Sequence, residues 1–207
     1  MRSVWQLLDR PAIFHAARFA LVGHQGLTKR LLHEHLAAGP DETVLDVCCG
    51  IGEFAEAVSG RYVGVDVNER FIRGARRRYA GDGRKSFEVG DVLRLPYPAR
   101  HFDKAIVVNS LHHFSDAEAT RLLTELRRIT RRLILVVDAD GTPRGVVRRL
   151  LLALDRGRFM RTPARLAGVV GRVLPVARTI TFDVGLYGQV LLCCPLTESP
   201  APAPAEG

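Results

Sequence analysis

Three aspartates in the first half of the chain stand where short apolar runs end. Asp46 lies in Val44-Leu45-Asp46-Val47, Asp66 closes Tyr62-Val63-Gly64-Val65-Asp66, and Asp91 follows Ser86 to Val89 in Gly90-Asp91-Val92. Between the first two lies Cys48-Cys49-Gly50-Ile51-Gly52-Glu53. Glycines at a strand-to-helix turn let backbone approach a ligand closely. A helix expected from Glu53 to Val58 would offer its N-terminal N–H groups to a carboxylate or phosphate. Asp66 comes 20 residues after Asp46, and an acid in that place can take both hydroxyls of a ribose. Asp91 can accept from an exocyclic amine while the N–H of Val92 faces a ring nitrogen, a pairing that suits adenine. Asn109 ends a fourth apolar run and opens Asn109-Ser110-Leu111-His112-His113-Phe114. Either histidine can serve as a general base or as a donor to an acceptor molecule. One such acid alone is equally well a helix cap or a turn residue. Three at successive strand ends describe a binding row along the C-terminal edge of an open α/β sheet.

The elements that must carry this row alternate. Two helices are expected over residues 1 to about 40, the second capped by Thr28, striped with Leu31, Leu32 and Leu36, and stopped at Gly39-Pro40. Strands follow at 44–47, 62–66, 86–89, 103–109 and 133–137, with helices at 69–79 and from Asp116, as cap, to Ile129. Continuous apolar strands alternating with helices predict a parallel sheet covered on both faces. Arg144 to Arg178 holds nine arginines and one acid, Asp155, and reads as two helices broken near Gly157 and at Thr162-Pro163. Arg178 to Asp183 and Gln189 to Cys194 then read as a hairpin around Gly185 to Gly188. Residues 1–196 are expected to form a single domain and the Pro/Ala-rich 197–207 a disordered tail.

Composition bounds the alternatives. The chain has 207 residues, of which 47% are hydrophobic and 25% charged, as an ordinary globular domain does. The net charge of +8 favours anionic partners. All basic residues except Lys29, Lys85 and Lys104 are arginine, so part of that charge reflects genome composition. The four cysteines form two adjacent pairs, Cys48-Cys49 and Cys193-Cys194, without the spacing of a zinc site. They read as small apolar residues in a reducing cytoplasm. No apolar run approaches a membrane span, and the N-terminus is unlike a signal peptide. With Trp5 the only tryptophan, no aromatic and basic stacking surface for nucleic acid is evident.

Val44 to Ala55, Val63 to Asp66, Gly90 to Pro96 with Phe102-Asp103, and Asn109 to Phe114 together resemble class I S-adenosylmethionine-dependent methyltransferases. The likeness covers roughly residues 40 to 140. Cys48 stands where that family usually has Gly, a variant also similar to ubiquinone and menaquinone C-methyltransferases. The resemblance implies a Rossmann-like seven-stranded, mostly parallel sheet with a reversed terminal hairpin strand. It implies S-adenosylmethionine as cofactor, S-adenosylhomocysteine as product, and no metal. Asp46, Gly50 and Gly52 would hold the methionine end, Asp66 the ribose, and Asp91 with Val92 the adenine, with Cys48, Val67 and Asn109 as further cofactor contacts.

The acceptor is then a small molecule, anionic or lipophilic, whose O, N or C nucleophile takes the methyl group in line. His112 and His113 are the candidate base. His15 and His24, in an N-terminal helical lid over 1–40, and Asp155, Arg156 and Arg161, in a helical insertion over 144–175, are candidate acceptor contacts. His33 and His35 read as solvent-facing. Two rivals remain. Gly50-Ile51-Gly52-Glu53-Phe54-Ala55 also fits a dinucleotide fingerprint, although none of the four tyrosines has a lysine four residues on, as a short-chain dehydrogenase would want. A non-catalytic protein binding nucleic acid or membrane is the other, with Leu150, Leu151, Leu152, Leu154, Val169, Val170, Val173 and Leu174 touching anionic lipid.

Overall fold

A computed structural model of the chain describes residues 25–143 and 158–196. Seven strands form one sheet: β1 (Thr43–Val47), β2 (Arg61–Asp66), β3 (Lys85–Val89), β4 (Phe102–Val108), β5 (Thr130–Ala139), β6 (Arg178–Val184) and β7 (Tyr187–Pro195). Their order is β3-β2-β1-β4-β5-β7-β6. The first five are parallel, and β7 runs antiparallel between β5 and β6. The expected seven-stranded sheet with its reversed terminal strand is therefore present. The hairpin is tighter than expected: Val184 pairs with Tyr187 across Gly185-Leu186, and Gly185 takes a φ of +59°, which a two-residue hairpin turn demands.

Both faces are covered, for the reason the apolar strands imply. Successive residues of a strand point to opposite faces, so β4 and β5 each feed two cores. Ala105, Val107, Ile134 and Val136 pack with α3 (Asp116–Ile129) and α4 (Pro163–Gly171). Ile106, Val108, Leu135 and Val137 pack with α1 (Gly26–Leu36) and α2 (Glu69–Arg78). Within α4 and the turn after it, Val169, Val170 and Leu174 belong to the first core and Val173 packs against it. The lipid-facing reading of those four is thereby corrected, because the sheet and α3 already bury them. Leu150 to Leu154 lie outside the described residues. Among the described residues no helix is long and apolar enough to cross a membrane.

Helix ends differ from expectation in three places. Ser115, not Asp116, caps α3, in a reciprocal pairing with Glu118. Thr28 lies inside α1, where its hydroxyl donates to Gln189 Oε1 at 2.7 Å. Only a short 3₁₀ turn, Ala55–Ala57, follows β1 in place of the expected helix. At the other end of α1, Lys104 Nζ donates to Leu36 O, Ala37 O and Glu42 Oε2 at 2.7–2.9 Å. Lys104 lies early in β4, whereas Gln189 pairs with Ala139 at the end of β5. α1 thus runs antiparallel to the strands, and its N-terminus points to the sheet's C-terminal edge.

Candidate functional site

The strand order reverses between β1 and β4, where open α/β sheets leave a crevice at their C-terminal edge. The loop leaving β1 is bent by three residues with positive φ: Cys48 at +59°, Gly50 at +57° and Gly52 at +73°. That explains why glycine is usual where Cys48 stands, since a side chain there is strained. The loop is stitched to β2 by Cys49 N–H to Val65 O at 3.1 Å and by Gly50 N–H to Asp66 Oδ2 at 2.9 Å. A Cβ on Gly50 would meet nothing within 4 Å, so its outer side is open for a ligand to approach. Gly52 is glycine for a different reason. A Cβ there would lie 2.6 Å from the Phe87 ring, and its carbonyl accepts from Tyr79 Oη at 2.9 Å.

Asp66 is held in place by two backbone donors, Gly50 N–H and Asn68 N–H at 2.8 Å. Burial raises its carboxyl above the usual range, against the pull of those donors. A carboxylate has about four acceptor positions, so two remain for ribose hydroxyls. Val67 and Val89, at the tips of β2 and β3, are large apolar side chains left exposed, Val67 at 75%. Asp91 is exposed and accepts from Leu93 N–H at 2.9 Å. The neighbouring Val92 is buried.

Asp46 departs from expectation. It is 1% exposed and accepts the Tyr62 hydroxyl at 2.6 Å. It is thus buried against Tyr62, with one carboxylate oxygen occupied by the phenol. Burial pushes Asp46 up to about 7 from an ordinary 3.8, with the nearby Asp66 adding to the rise and the Tyr62 bond opposing it. The folded chain keeps a proton that the unfolded chain sheds near pH 4, so the stability from this carboxyl is full below pH ~4 and lost as pH rises through about 7. Asp46→Asn keeps an acceptor for Tyr62. Relative to wild type it should gain about 2–4 kcal/mol between pH 4 and 8 in denaturant melts. A constant difference across that range would place the ionisation elsewhere.

The two candidate bases separate. His112 is buried and its Nδ1–H donates to Asp138 Oδ1, a carboxylate 2% exposed that also accepts from Ala139 N–H at 2.9 Å. His113 is exposed, its ring centroid 4.2 Å from that of His112. Asp138 escaped the sequence reading because it lies at the end of β5, 26 residues from His112, in a run read only for its apolar residues. Tyr62, Thr28 and Gln189 escaped it likewise, because each acts through a partner remote in sequence.

Asn109, with φ +51°, accepts from Gln189 Nε2 at 2.9 Å. Arg161 is corrected as an acceptor contact. It is 3% exposed, and its guanidinium is spent on Asp116 Oδ1 at 2.7–2.9 Å, Leu111 O at 2.9 Å and Phe114 O at 2.8 Å. It clamps the loop that bears the histidines. His15, His24, Asp155 and Arg156 lie outside the described residues. The cysteines are all free thiols, Cys49 and Cys194 buried and Cys48 and Cys193 half-buried, and burial raises each.

A mostly parallel sheet in this order, with a glycine-bent first loop and an acid ending the second strand, defines an α/β protein of the Rossmann-like class. Residues 44–132 match the methyltransferase domain family. The chain is 28% identical over 141 residues to methyltransferase GfsG of Streptomyces halstedii, covering 65% of this chain and 50% of that one. It is 30% identical over 147 residues to ajmaline N-methyltransferase of Rauvolfia serpentina, covering 61% and 50%. The chain thus spans about half the length of these curated relatives. In fold it is similar to magnesium protoporphyrin IX methyltransferase from Synechocystis PCC 6803, solved with bound S-adenosylhomocysteine. The TM-score is 0.68 at 22% identity, covering 86% of this chain and 84% of that one.

Proposed function

We propose that the chain transfers the methyl group of S-adenosylmethionine to a small-molecule acceptor by in-line displacement. The observation that carries this reading is the alignment of Gly50, Asp66 and the His112–Asp138 pair along neighbouring strand tips at the reversal of strand order. The residues present fit the cofactor. Gly50 has open space where a side chain would stand, Asp66 keeps acceptor capacity for a diol, and Val67 and Val89 leave apolar surface for a flat ring. Asp91 and the backbone of Val92 would read the adenine edge. When bound, the cofactor supplies a methyl group already activated by its sulfonium.

The chain's own part is alignment and proton management. Alignment of a nucleophile about 3–3.5 Å behind the methyl carbon can supply much of the acceleration. Asp138 fixes the proton of His112 on Nδ1, so the basic lone pair is on Nε2. From there it can take the proton an oxygen, nitrogen or carbon acceptor must lose. The N–H of Phe159 donates to His112 O at 3.0 Å, and Phe159 itself is 38% exposed. It places an apolar surface beside the base, in keeping with an acceptor that has a lipophilic part.

Asp66→Ala tests the cofactor assignment. It should weaken S-adenosylhomocysteine binding by one or two orders of magnitude in calorimetry, since hydrogen bonds to a charged carboxylate contribute about 1.5–3 kcal/mol. A folded variant with wild-type affinity would remove Asp66 from the site.

A further inference from the structure

The loop after β1 runs into a 3₁₀ turn of only three residues, Ala55–Ala57, whose few bonds give it little internal support. Cys48, Gly50 and Gly52 all hold positive φ, so neighbouring elements must impose the loop's shape. β2 does so on one side, through Val65 O and the Asp66 carboxylate. α2 does so on the other. Tyr79, the C-cap residue of α2, reaches back so that its Oη donates to Gly52 O at 2.9 Å. Ala55 N–H also donates to that carbonyl, at a longer 3.3 Å.

The surroundings of Tyr79 fix that reach. Its ring stacks on Phe87 of β3, with centroids 5.4 Å apart and planes 28° from parallel. A Cβ on Gly52 would lie 2.6 Å from Phe87 and 3.1 Å from Tyr79, so both rings lie directly against the loop backbone. The Arg78 guanidinium stands 5.4 Å from the centroid of the Tyr79 ring and meets Glu56 Oε1 at 2.5 Å. Lys29 of α1 takes Glu56 Oε2 at 2.9 Å, so the 3₁₀ turn is tied to two helices. Burial pushes the Tyr79 phenol up to about 12, so near neutral pH the hydroxyl keeps its proton and donates. Gly50, by contrast, has open space where a side chain would stand. The loop thus has one residue open to a ligand and another backed by rings.

We propose that Tyr79 is a positioning residue for the cofactor: its hydroxyl holds the glycine loop in the conformation that receives S-adenosylmethionine, without touching the ligand. The inference rests on the S-adenosylmethionine reading and adds to it a residue that no motif marks. Where the receiving conformation is only a fraction of the population, apparent affinity falls by that fraction. One neutral hydrogen bond shifts such an equilibrium by roughly three- to tenfold.

Tyr79→Phe removes the hydroxyl and keeps the ring in its stack. Calorimetry on the full chain should show S-adenosylhomocysteine bound about three- to tenfold more weakly. Amide hydrogen exchange over residues 50–57 should quicken in the ligand-free variant and return to the wild-type rate under saturating S-adenosylhomocysteine. Tyr97→Phe is the control. It removes the same atom from a bond to the exposed Glu88, at 2.7 Å, and should change neither readout. Wild-type affinity in Tyr79→Phe, unchanged ligand-free exchange, exchange that the ligand does not restore, or equal weakening by Tyr97→Phe overturns the assignment. A wild-type chain that does not bind S-adenosylhomocysteine overturns the cofactor reading itself, while the ligand-free exchange still decides whether Tyr79 braces the loop.

Discussion

Asp138→Asn is expected to lower methyl transfer about 10²–10⁴-fold while leaving S-adenosylhomocysteine affinity within a few-fold of wild type. The substitution nearly preserves shape, but one oxygen, Oδ1, meets both His112 Nδ1 and Ala139 N–H. An asparagine that keeps its oxygen there loses the negative charge that stabilises a protonated His112. One that turns its NH₂ to His112 Nδ1 gives up the Ala139 bond, moves the ring proton to Nε2 and removes the lone pair that would serve as base. His112→Ala should fall by a similar factor, since the two act as one unit. His113→Ala should fall only a few-fold, because His113 is exposed whereas His112 is buried against Asp138. Labelled-methyl transfer into a cell extract measures this without a purified acceptor. Full transfer by Asp138→Asn would leave alignment alone as the source of rate, and a large loss in His113→Ala would exchange the roles of the two histidines.

Arg161→Met should cost about 2–4 kcal/mol of stability and lower transfer as well. Removing the guanidinium takes the Arg161 donor from Phe114 O, leaves Leu111 O with only the Phe114 N–H, and costs Asp116 a charged partner. Each bond to a charged group contributes about 1.5–3 kcal/mol. The Asp116 part is discounted because that side chain is 31% exposed. The Arg161 guanidinium holds the Asp116 carboxyl below its usual range, so the pair also supports the helix start at Ser115. For a chain of this size the expected fall in melting temperature is roughly 5–15 °C. The clamp spans both sides of His112, so loosening it should disturb the base more than the cofactor. Thermal melts and S-adenosylhomocysteine titration on the same variant separate the two effects. A melt within 2 °C of wild type would show, by the same relation, that the clamp adds little.

Much of this was readable in the chain because it depends on period and on residue type. Apolar runs at Val44, Val63 and Ile106 must be strands covered on two faces, and the acids ending them fall at one edge by construction. The turn after β1 was misread. Glu53 to Val58 is too short for helix formation to propagate, and Gly52 instead packs under Phe87 and Tyr79. Asp46 and Asp66 look alike in the sequence, each ending an apolar run. They differ in fate because the Tyr62 phenol reaches one of them and backbone N–H groups the other. Arg161 sits in an arginine-rich stretch and reads as an acceptor contact, and only the approach of the loop after β4 draws it inside.

The sequence by itself determined the alternation of strands and helices, the reversed last strand and the row of acids, because local pattern and short-range chirality dictate them. The tertiary structure alone decided which histidine meets Asp138, that Asp46 meets Tyr62, and that α1 starts at the C-terminal edge of the sheet. Those outcomes depend on pairs distant in sequence, whose meeting is set by sheet register and by how far each buried polar atom must reach for a partner.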